Sequence, residues 1–283
     1  MASPDVISHN WKKQHKVFLD NLAALKIKLS AKEIHDMRVA VKKLRAYLNL
    51  YNLVTEPEEA GLQLVKTETI FNITGKYRDI EISLDLLGSF KNDKKNKYPA
   101  LRSYLLNALQ LTEEKTAAAI KKFNPRELHL IGENIYTRLS NESPDAISAK
   151  ITDVLNRKLI VIIELFKKSD DQPHALRKEL KELYYWLTIM PGAVLFSVSQ
   201  IKKLDKILDL LGSWQDHQVL LTRTKHFRKD FIAKKTEEHT SYKKLAKHLE
   251  AKSEKLLGSA NLRLKKLLDP FENKNKLTEA NKQ

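Results

Sequence analysis

Apolar residues recur at helical spacing along most of the chain. In residues 33–54, Met37, Val41, Leu44 and Leu48 fall within about 60° of one another when each residue turns by about 100°. Such a stripe is typical of a helix that buries one face. The stretches between the prolines repeat this pattern, which predicts breaks at Pro57, Pro99, Pro125, Pro144, Pro173, Pro191 and Pro270. With seven glycines in 283 residues, the sequence predicts an all-α protein.

A second stripe on the same predicted helix is basic. It lies roughly 100° from the apolar stripe and consists of His35, Arg38, Lys42 and Arg45. Like charges at this spacing repel one another by a few tenths of a kcal/mol, and no acidic residue interrupts the row. The row therefore favours a negatively charged ligand, whereas a solvated helix face is the simpler alternative.

Both stripes return later in the chain. Residues 34–51 (IHDMRVAVKKLRAYLNLY) align with residues 173–190 (PHALRKELKELYYWLTIM), which pairs His35 with His174, Arg38 with Arg177, Lys42 with Lys181 and Tyr47 with Trp186. The second basic row is one cation shorter, because Tyr184 stands where the first has Arg45.

A second aligned block supports an internal duplication. Residues 75–90 align with residues 212–227, which places Gly75 on Gly212 and Asp79 on Asp216. His35 and Gly75 are 40 residues apart, and His174 and Gly212 are 38 apart, so the blocks keep their register. We predict a single domain over residues 1–283, made of one helical bundle at 8–141 and another at 146–268, with a polar tail at 271–283.

Charge and composition narrow the classes of function. Lys and Arg number 51 against 35 Asp and Glu, a net charge of +16, which favours an anionic partner such as nucleic acid, a membrane surface or a phosphate polymer. The absence of cysteine excludes disulfides, thiolate metal sites and thiol catalysis. No secretory signal or run long enough to span a bilayer is visible, so we expect a cytoplasmic protein that does not act in a membrane.

The spaced motifs identify the chain as similar to the CHAD family, the conserved histidine α-helical domain. They are H-x-x-R-x-x-x-K-x-x-R in the first copy, H-x-x-R-x-x-x-K in the second, and the later G-x-Y-R-D and G-x-W-Q-D segments. The resemblance covers roughly residues 8–268. The family often accompanies a CYTH triphosphate-hydrolysing domain, but the E-x-E-x-K strand motif of that domain is absent, so the chain resembles a stand-alone CHAD protein.

The resemblance implies a fold and a ligand. It implies two antiparallel four-helix bundles, related by a pseudo-two-fold axis, around a basic central groove or channel. It also implies non-catalytic binding of inorganic polyphosphate, association with polyphosphate granules, and no cofactor. The matching positions are His35, Arg38, Lys42, Arg45, Arg78, His174, Arg177 and Lys181. Two departures, Gln215 at the position of Arg78 and Tyr184 at that of Arg45, argue against a fully symmetric site.

A linear polymer with one charge per phosphate suits a linear array of donors. Arginine offers a planar fork to two oxygens, and lysine offers a mobile point charge. Four more cations precede the two histidine helices and extend the candidate surface: Lys12, Lys13, Arg157 and Lys158. Each is equally compatible with an ordinary solvated helix.

Two other functions remain open at this stage. Nucleic acids are also polyanions, and a chain of this charge binds them at low salt, although no helix-turn-helix, RNP or zinc-finger pattern is present. A metal-dependent phosphohydrolase needs carboxylates or a positioned nucleophile, and we find no P-loop and no H-x-x-x-H. The sequence does not predict the oligomeric state.

The histidines and aspartates of the motifs have alternative readings as well. His35 and His174 suit phosphate donors better than metal ligands, because neither has a second histidine four residues on. A structural capping role is the other reading of both. Asp79 and Asp216 suit anchors for basic side chains or helix caps better than catalytic acids, since a carboxylate repels phosphate.

Overall fold

The computed structural model describes residues 4–55, 61–90, 98–126, 142–168, 172–189 and 195–280, together with Leu128, Ile131, Ile135 and Thr137. Side chains are described from Thr67 onward in the second of these segments and up to Glu272 in the last. These residues form eight helices: α1 (Pro4–Ile27), α2 (Ala31–Thr55), α3 (Gly61–Ser89), α4 (Pro99–Lys122), α5 (Pro144–Lys167), α6 (Pro173–Ile189), α7 (Val198–Phe231) and α8 (Glu237–Ala280). No strand occurs among them, so the predicted all-α class is confirmed.

Local sequence signals explain several helix ends. Ser143 accepts a hydrogen bond from the backbone N–H of Ala146, and Pro144 follows it as the first residue of α5. Ser197 and Gln200 form a reciprocal capping box at the start of α7. The caps predicted for α6, at Ser169, Asp170 or Asp171, lie outside the described residues.

The break predicted at Pro270 is wrong, because α8 continues through it to Ala280. An internal proline costs the helix one backbone hydrogen bond and a steric clash. Packing on both sides offsets that cost here: Leu267 and Leu268 are buried, and the ring of Phe271 stacks on Phe196 with centroids 4.8 Å apart.

The helices pack as two rings of four. In the first ring α1 packs on α2, α2 on α3, α3 on α4, and α4 on α1. In the second, α5 packs on α6, α6 on α7, α7 on α8, and α8 on α5. The rings meet where α2 packs on α5 and α6 and where α3 packs on α7. Origin by duplication, pseudo-two-fold symmetry and an open groove or channel between the rings stay predictions.

Two apolar clusters join the rings. The larger contains Trp11, Tyr47 and Trp186, and it draws on α1 and α2 as well as on α5 and α6. The smaller contains Leu84, Leu101, Leu220 and Tyr242, from α3, α4, α7 and α8. Full burial of one leucine contributes about 1.5–3 kcal/mol, so these shared clusters hold the rings together.

Hydrogen bonds between α2 and α6 fix how these two helices meet. The indole Nε1 of Trp186 donates to the backbone oxygen of Ala46 over 2.7 Å, and Asn49 Nδ2 donates to Glu182 Oε1 over 2.7 Å. Tyr47, which aligns with Trp186, instead donates its hydroxyl hydrogen bond to the backbone oxygen of Ile7, a residue of the same ring of four helices. The seam between α2 and α6 is thus a defined contact, and the basic rows lie along it.

Candidate anion-binding site

Four cations meet at the seam between α2 and α6: Arg38 and Lys42 from α2, and Arg177 and Lys181 from α6. We call them the seam cluster. The ammonium of Lys181 donates a hydrogen bond to the amine of Lys42, and Arg38 and Arg177 both lie close enough to act on the charge of Lys42. The structure therefore brings together the two basic rows that the sequence shows only separately.

Burial and mutual repulsion make the seam cluster unfavourable in its charged state. Burial, followed by Lys181, Arg38 and Arg177, lowers the pKa of Lys42 to about 6. Burial and Arg177 lower the pKa of Lys181 to about 8, and burial lowers the pKa of Arg38 to about 10. A protonated Lys42 is disfavoured because several cations share a poorly solvated space, which a bound anion would relieve.

Two carboxylates offset part of this charge. Asp79 of α3 lies near Arg38 and near Arg223 of α7, whereas Asp216 of α7 lies near Arg177 and near Arg78 of α3. Burial raises the pKa of both carboxyl groups, and the arginines oppose that rise. These neighbours agree with the predicted anchoring role, but two carboxylates leave the four cations of the seam cluster only partly neutralised.

Phe71 of α3 forms an aromatic platform under the first row. The guanidinium carbons of Arg38 and Arg45 lie 4.1 and 4.5 Å from its ring centroid, and Lys42 Nζ lies 5.6 Å away. Arg38 also donates to the backbone oxygen of Phe71 and, over 3.4 Å, to Thr74 Oγ1. Cation–π contacts and these hydrogen bonds hold the first row in place.

Gly75 makes this arrangement possible. A Cβ atom at position 75 would lie 2.8 Å from Nη1 of Arg38, whereas a Cβ atom at the aligned Gly212 would meet nothing within 4 Å. The absence of a side chain at position 75 therefore lets Arg38 approach α3 closely. Gly212 has no such role, so the two halves of the site differ.

Two arginines of the basic rows have buried nitrogens without a hydrogen-bond partner among the described residues. They are Nε of Arg177 and Nη2 of Arg45. A buried unpaired donor costs about 1–3 kcal/mol, more when charged, unless a ligand or water satisfies it. Arg177 and Arg45 therefore retain donor capacity for an anion, whereas Arg38 is committed to α3.

The two motif histidines and Arg78 lie beside the seam cluster. His35 lies at its edge with part of its surface exposed, and partial burial, Arg78, Lys42 and Lys181 lower its pKa against the opposing effect of Asp36. His174 is exposed, and its ring packs on Trp214 with centroids 4.6 Å apart. Arg78 forms an ion pair with Glu81 at 3.5 Å.

The four additional candidates lie elsewhere. Lys12 and Lys13 are exposed on α1, and Arg157 pairs with Asp153 on the surface of α5. Lys158 is bound by Glu179 and Glu182 of α6, and its Nζ lies 4.8 Å from the Trp186 ring centroid. Burial lowers the pKa of Lys158, but these two carboxylates outweigh it and leave the pKa raised. The charge of Lys158 is thus already compensated.

Sequence reasoning missed Phe71 and Arg223. Arg223 lines a cleft of about 420 Å³ together with His174, Gln215, Gln218, Val219 and Thr222. In the alignment of the two halves, Arg223 falls on Leu86 and Phe71 on Leu208, so the repeat gives no signal for either.

Among the residues with described side chains, no group of three or more His, Asp or Glu residues could hold a metal ion. The described part of the chain has no helix that is long and apolar enough to cross a membrane.

Comparison with known proteins gives one family and several similar solved structures, among them the two that follow. The family model for the CHAD domain matches residues 11–225. The crystal structure of the CHAD domain from the plant Ricinus communis is 18% identical and covers 93% of this chain and 92% of its own, with a TM-score of 0.69. PptA from Streptomyces chartreusis is 13% identical and covers 95% of this chain and 100% of its own, with a TM-score of 0.67. No curated protein matches the sequence.

Proposed function

Since the chain belongs to the CHAD domain family, we propose that it binds inorganic polyphosphate at the seam cluster and its surroundings without hydrolysing it. The observation that carries this proposal is the direct contact between Lys42 and Lys181 at a seam where cations outnumber carboxylates. Two half-buried lysines in contact favour an anion between or beside them, because the anion stabilises the protonated form of both.

The arrangement of donors suits a chain of phosphates. Arg45, Lys42 and Arg38 follow one another along α2, and Lys181 and Arg177 follow along α6, so donors succeed one another at the spacing of helical turns. Guanidinium groups bind phosphate oxygens in pairs, and the free nitrogens of Arg177 and Arg45 are suited to this. His35, His174 and Arg78 extend the same surface at its edge.

We propose a binding protein and not a hydrolase. The two carboxylates of the site, Asp79 and Asp216, face arginines, so each is engaged by a cation and is poorly placed to hold a metal ion or activate water. Retention of the protein on polyphosphate granules in the cytoplasm is the consequence that we expect of such binding.

The test is a variant whose seam cluster has no cations, because Arg38, Lys42, Arg177 and Lys181 are all replaced by Met. A matched control replaces four exposed lysines of α7 and α8, Lys202, Lys206, Lys265 and Lys266, by Met, so both variants lose four basic side chains. We expect the seam variant to lose at least about 100-fold in affinity for long-chain polyphosphate, measured by calorimetry, while the control retains most of it.

Three results would overturn the proposal. The first is equal loss of affinity in both variants, which would indicate nonspecific attraction. The second is displacement of polyphosphate by single-stranded DNA at equal phosphate concentration, which would favour nucleic-acid binding. The third is release of orthophosphate from polyphosphate, with or without magnesium, which would make the protein an enzyme.

A further inference from the structure

A second cavity lies on the opposite side of α7 from the His174 cleft. The cleft residues Gln215, Gln218, Val219 and Thr222 share one face of α7, and His217 lies roughly 150° around the helix from their centre. His217 lines a cavity of about 600 Å³ with Phe90, Tyr98, Lys244, His248 and Lys252. This volume falls within the range of small-molecule sites, about 300–1,000 Å³. None of the described residues that line this cavity belongs to the seam cluster, and its volume suits a small ligand.

His217 is an unusual residue for its place in the fold. It is buried, with 8% of its surface exposed, and its Nδ1 lies 2.7 Å from the backbone oxygen of Ser213. A carbonyl oxygen only accepts, so Nδ1 carries the proton, and Nε2 is the ring nitrogen left to meet a ligand. The aligned residue of the first half is Ile80, also buried, so packing at this position does not require an imidazole.

The wall that α8 contributes is basic. Lys244, His248 and Lys252 recur every fourth residue, so their side chains follow one another along one face of the helix. The ammonium groups of Lys244 and Lys252 would attract an anion into the cavity. Their spacing spans about 12 Å along the axis, enough for one or two phosphoryl groups.

Two further lining residues, Phe90 and Tyr98, are aromatic and are held in place by packing. The ring of Phe90 meets His248 edge-on with centroids 5.2 Å apart. Tyr98 is buried and packs on Tyr242 with ring centroids 5.5 Å apart. Such surfaces suit a flat ring, because aromatic rings pack favourably against one another.

We propose that this cavity binds a small phosphorylated molecule with a flat ring, of the class of a nucleoside monophosphate. Its phosphate contacts Lys244, His248 and Lys252, and its ring packs against Phe90 and Tyr98. A hydroxyl or N–H of the ligand donates to Nε2 of His217. This site is additional to the polymer site at the seam cluster and does not depend on it.

The probe is adenosine monophosphate, titrated into the full chain by calorimetry, with ribose 5-phosphate and adenosine as partial ligands. We expect the double variant Lys244→Gln/Lys252→Gln to bind adenosine monophosphate at least about tenfold more weakly. The matched control Lys243→Gln/Lys247→Gln changes the same charge on exposed neighbours of α8 and should bind normally. His217→Ile, which copies the first half, should also weaken binding while keeping the helical content.

Measuring the binding of both ligands to both sets of variants distinguishes this proposal from that of polyphosphate binding at the seam cluster. The Lys42→Met/Lys181→Met variant should bind adenosine monophosphate as the unaltered protein does, and Lys244→Gln/Lys252→Gln should keep its affinity for polyphosphate. The proposal fails if no millimolar binding of adenosine monophosphate is detected, or if its binding follows the seam variant. It also fails if Lys244→Gln/Lys252→Gln weakens polyphosphate and adenosine monophosphate alike, because the cavity would then belong to the polymer site.

Discussion

Arg38 reaches α3 through the space that Gly75 leaves open, since a Cβ atom there would lie 2.8 Å from its Nη1. The Gly75→Ala variant should therefore fold, because the end of a long side chain can move, but Arg38 should leave the backbone oxygen of Phe71 and the face of its ring. We expect polyphosphate affinity to fall by about three- to tenfold, the equivalent of one such contact.

Gly212→Ala is the matched control for that variant. Its Cβ atom would meet nothing within 4 Å, so the alanine should stabilise α7 by about 0.5–1 kcal/mol and leave polyphosphate binding unchanged. Chemical denaturation and calorimetry on the two variants measure both quantities. Equal effects of the two substitutions on binding would contradict the role given to Gly75.

Removing the Lys42 amine from the seam should weaken polyphosphate binding and stabilise the folded protein. Burial and its cationic neighbours lower the pKa of Lys42 to about 6, so the folded chain holds this group at a cost. We expect Lys42→Met to raise the free energy of unfolding at neutral pH by about 1 kcal/mol or more, and to weaken polyphosphate binding. The neighbouring substitution Lys43→Met serves as the control, and a destabilised Lys42→Met would show that the ammonium is well solvated.

The free protein should become more stable as pH rises above 6. The pKa of Lys42 is lowered to about 6 and that of Lys181 to about 8, both from an ordinary value of 10.5. The unfolded chain binds more protons than the folded chain from pH 6 for Lys42 and from pH 8 for Lys181, so unfolding becomes harder as pH approaches 10. The lowered pKa of His35 acts in the same direction near the lower end of this window. Thermal melts across the range should show this slope, with an upper limit of about 1.4 kcal/mol per pH unit for one group.

The affinity for polyphosphate should have the opposite pH dependence to the stability of the free protein. A bound anion raises the pKa of both lysines, so binding takes up protons and its affinity should fall as pH rises from 6 toward 8. Calorimetry in buffers of different ionisation enthalpy measures the proton uptake directly. The Lys42→Met/Lys181→Met variant should take up fewer protons, and unchanged uptake there would assign the effect to other groups.

Polyphosphate binding should depend more on the paired N–H donors of the Arg177 guanidinium than on those of Arg38. Its Nε is buried without a partner among the described residues, whereas Arg38 is already bound to α3. Arg177→Lys keeps the charge but loses the paired donors, and we expect at least about tenfold weaker polyphosphate binding. The control is Arg157→Lys, an exposed partner of Asp153. Retained affinity in Arg177→Lys would show that charge alone is recognised.

The all-helical fold could be predicted because apolar spacing and scarce glycine are local properties. The error at Pro270 has a tertiary cause, since the packing of Phe271 on Phe196 is invisible in a local pattern. Periodicity also placed Lys42 and Lys181 each on one face of its own helix. That the two side chains meet depends on how α2 packs on α6, which no single-helix pattern contains.

Other parts of the site were beyond sequence reasoning for the same reason. From the sequence, Lys158 is a candidate cation on the helix before the second histidine helix, but Glu179 and Glu182 bind it from α6. Phe71 reads as an ordinary core residue of α3, and only the approach of Arg38 and Arg45 from α2 makes it a platform. Residues whose role comes from a neighbouring helix are those that the sequence failed to identify.

Both apolar clusters contain side chains from both rings, so the anion site can form only after both rings have been synthesised. The first ring can be complete in a growing chain while Lys42 still has no partner, since Lys181 lies 139 residues further on. A ribosome must translate α6 and α7 before the seam closes, and the indole of Trp186 bonds to Ala46 only then. A nascent chain halted near residue 141 would therefore carry half of the cations and retain little polymer.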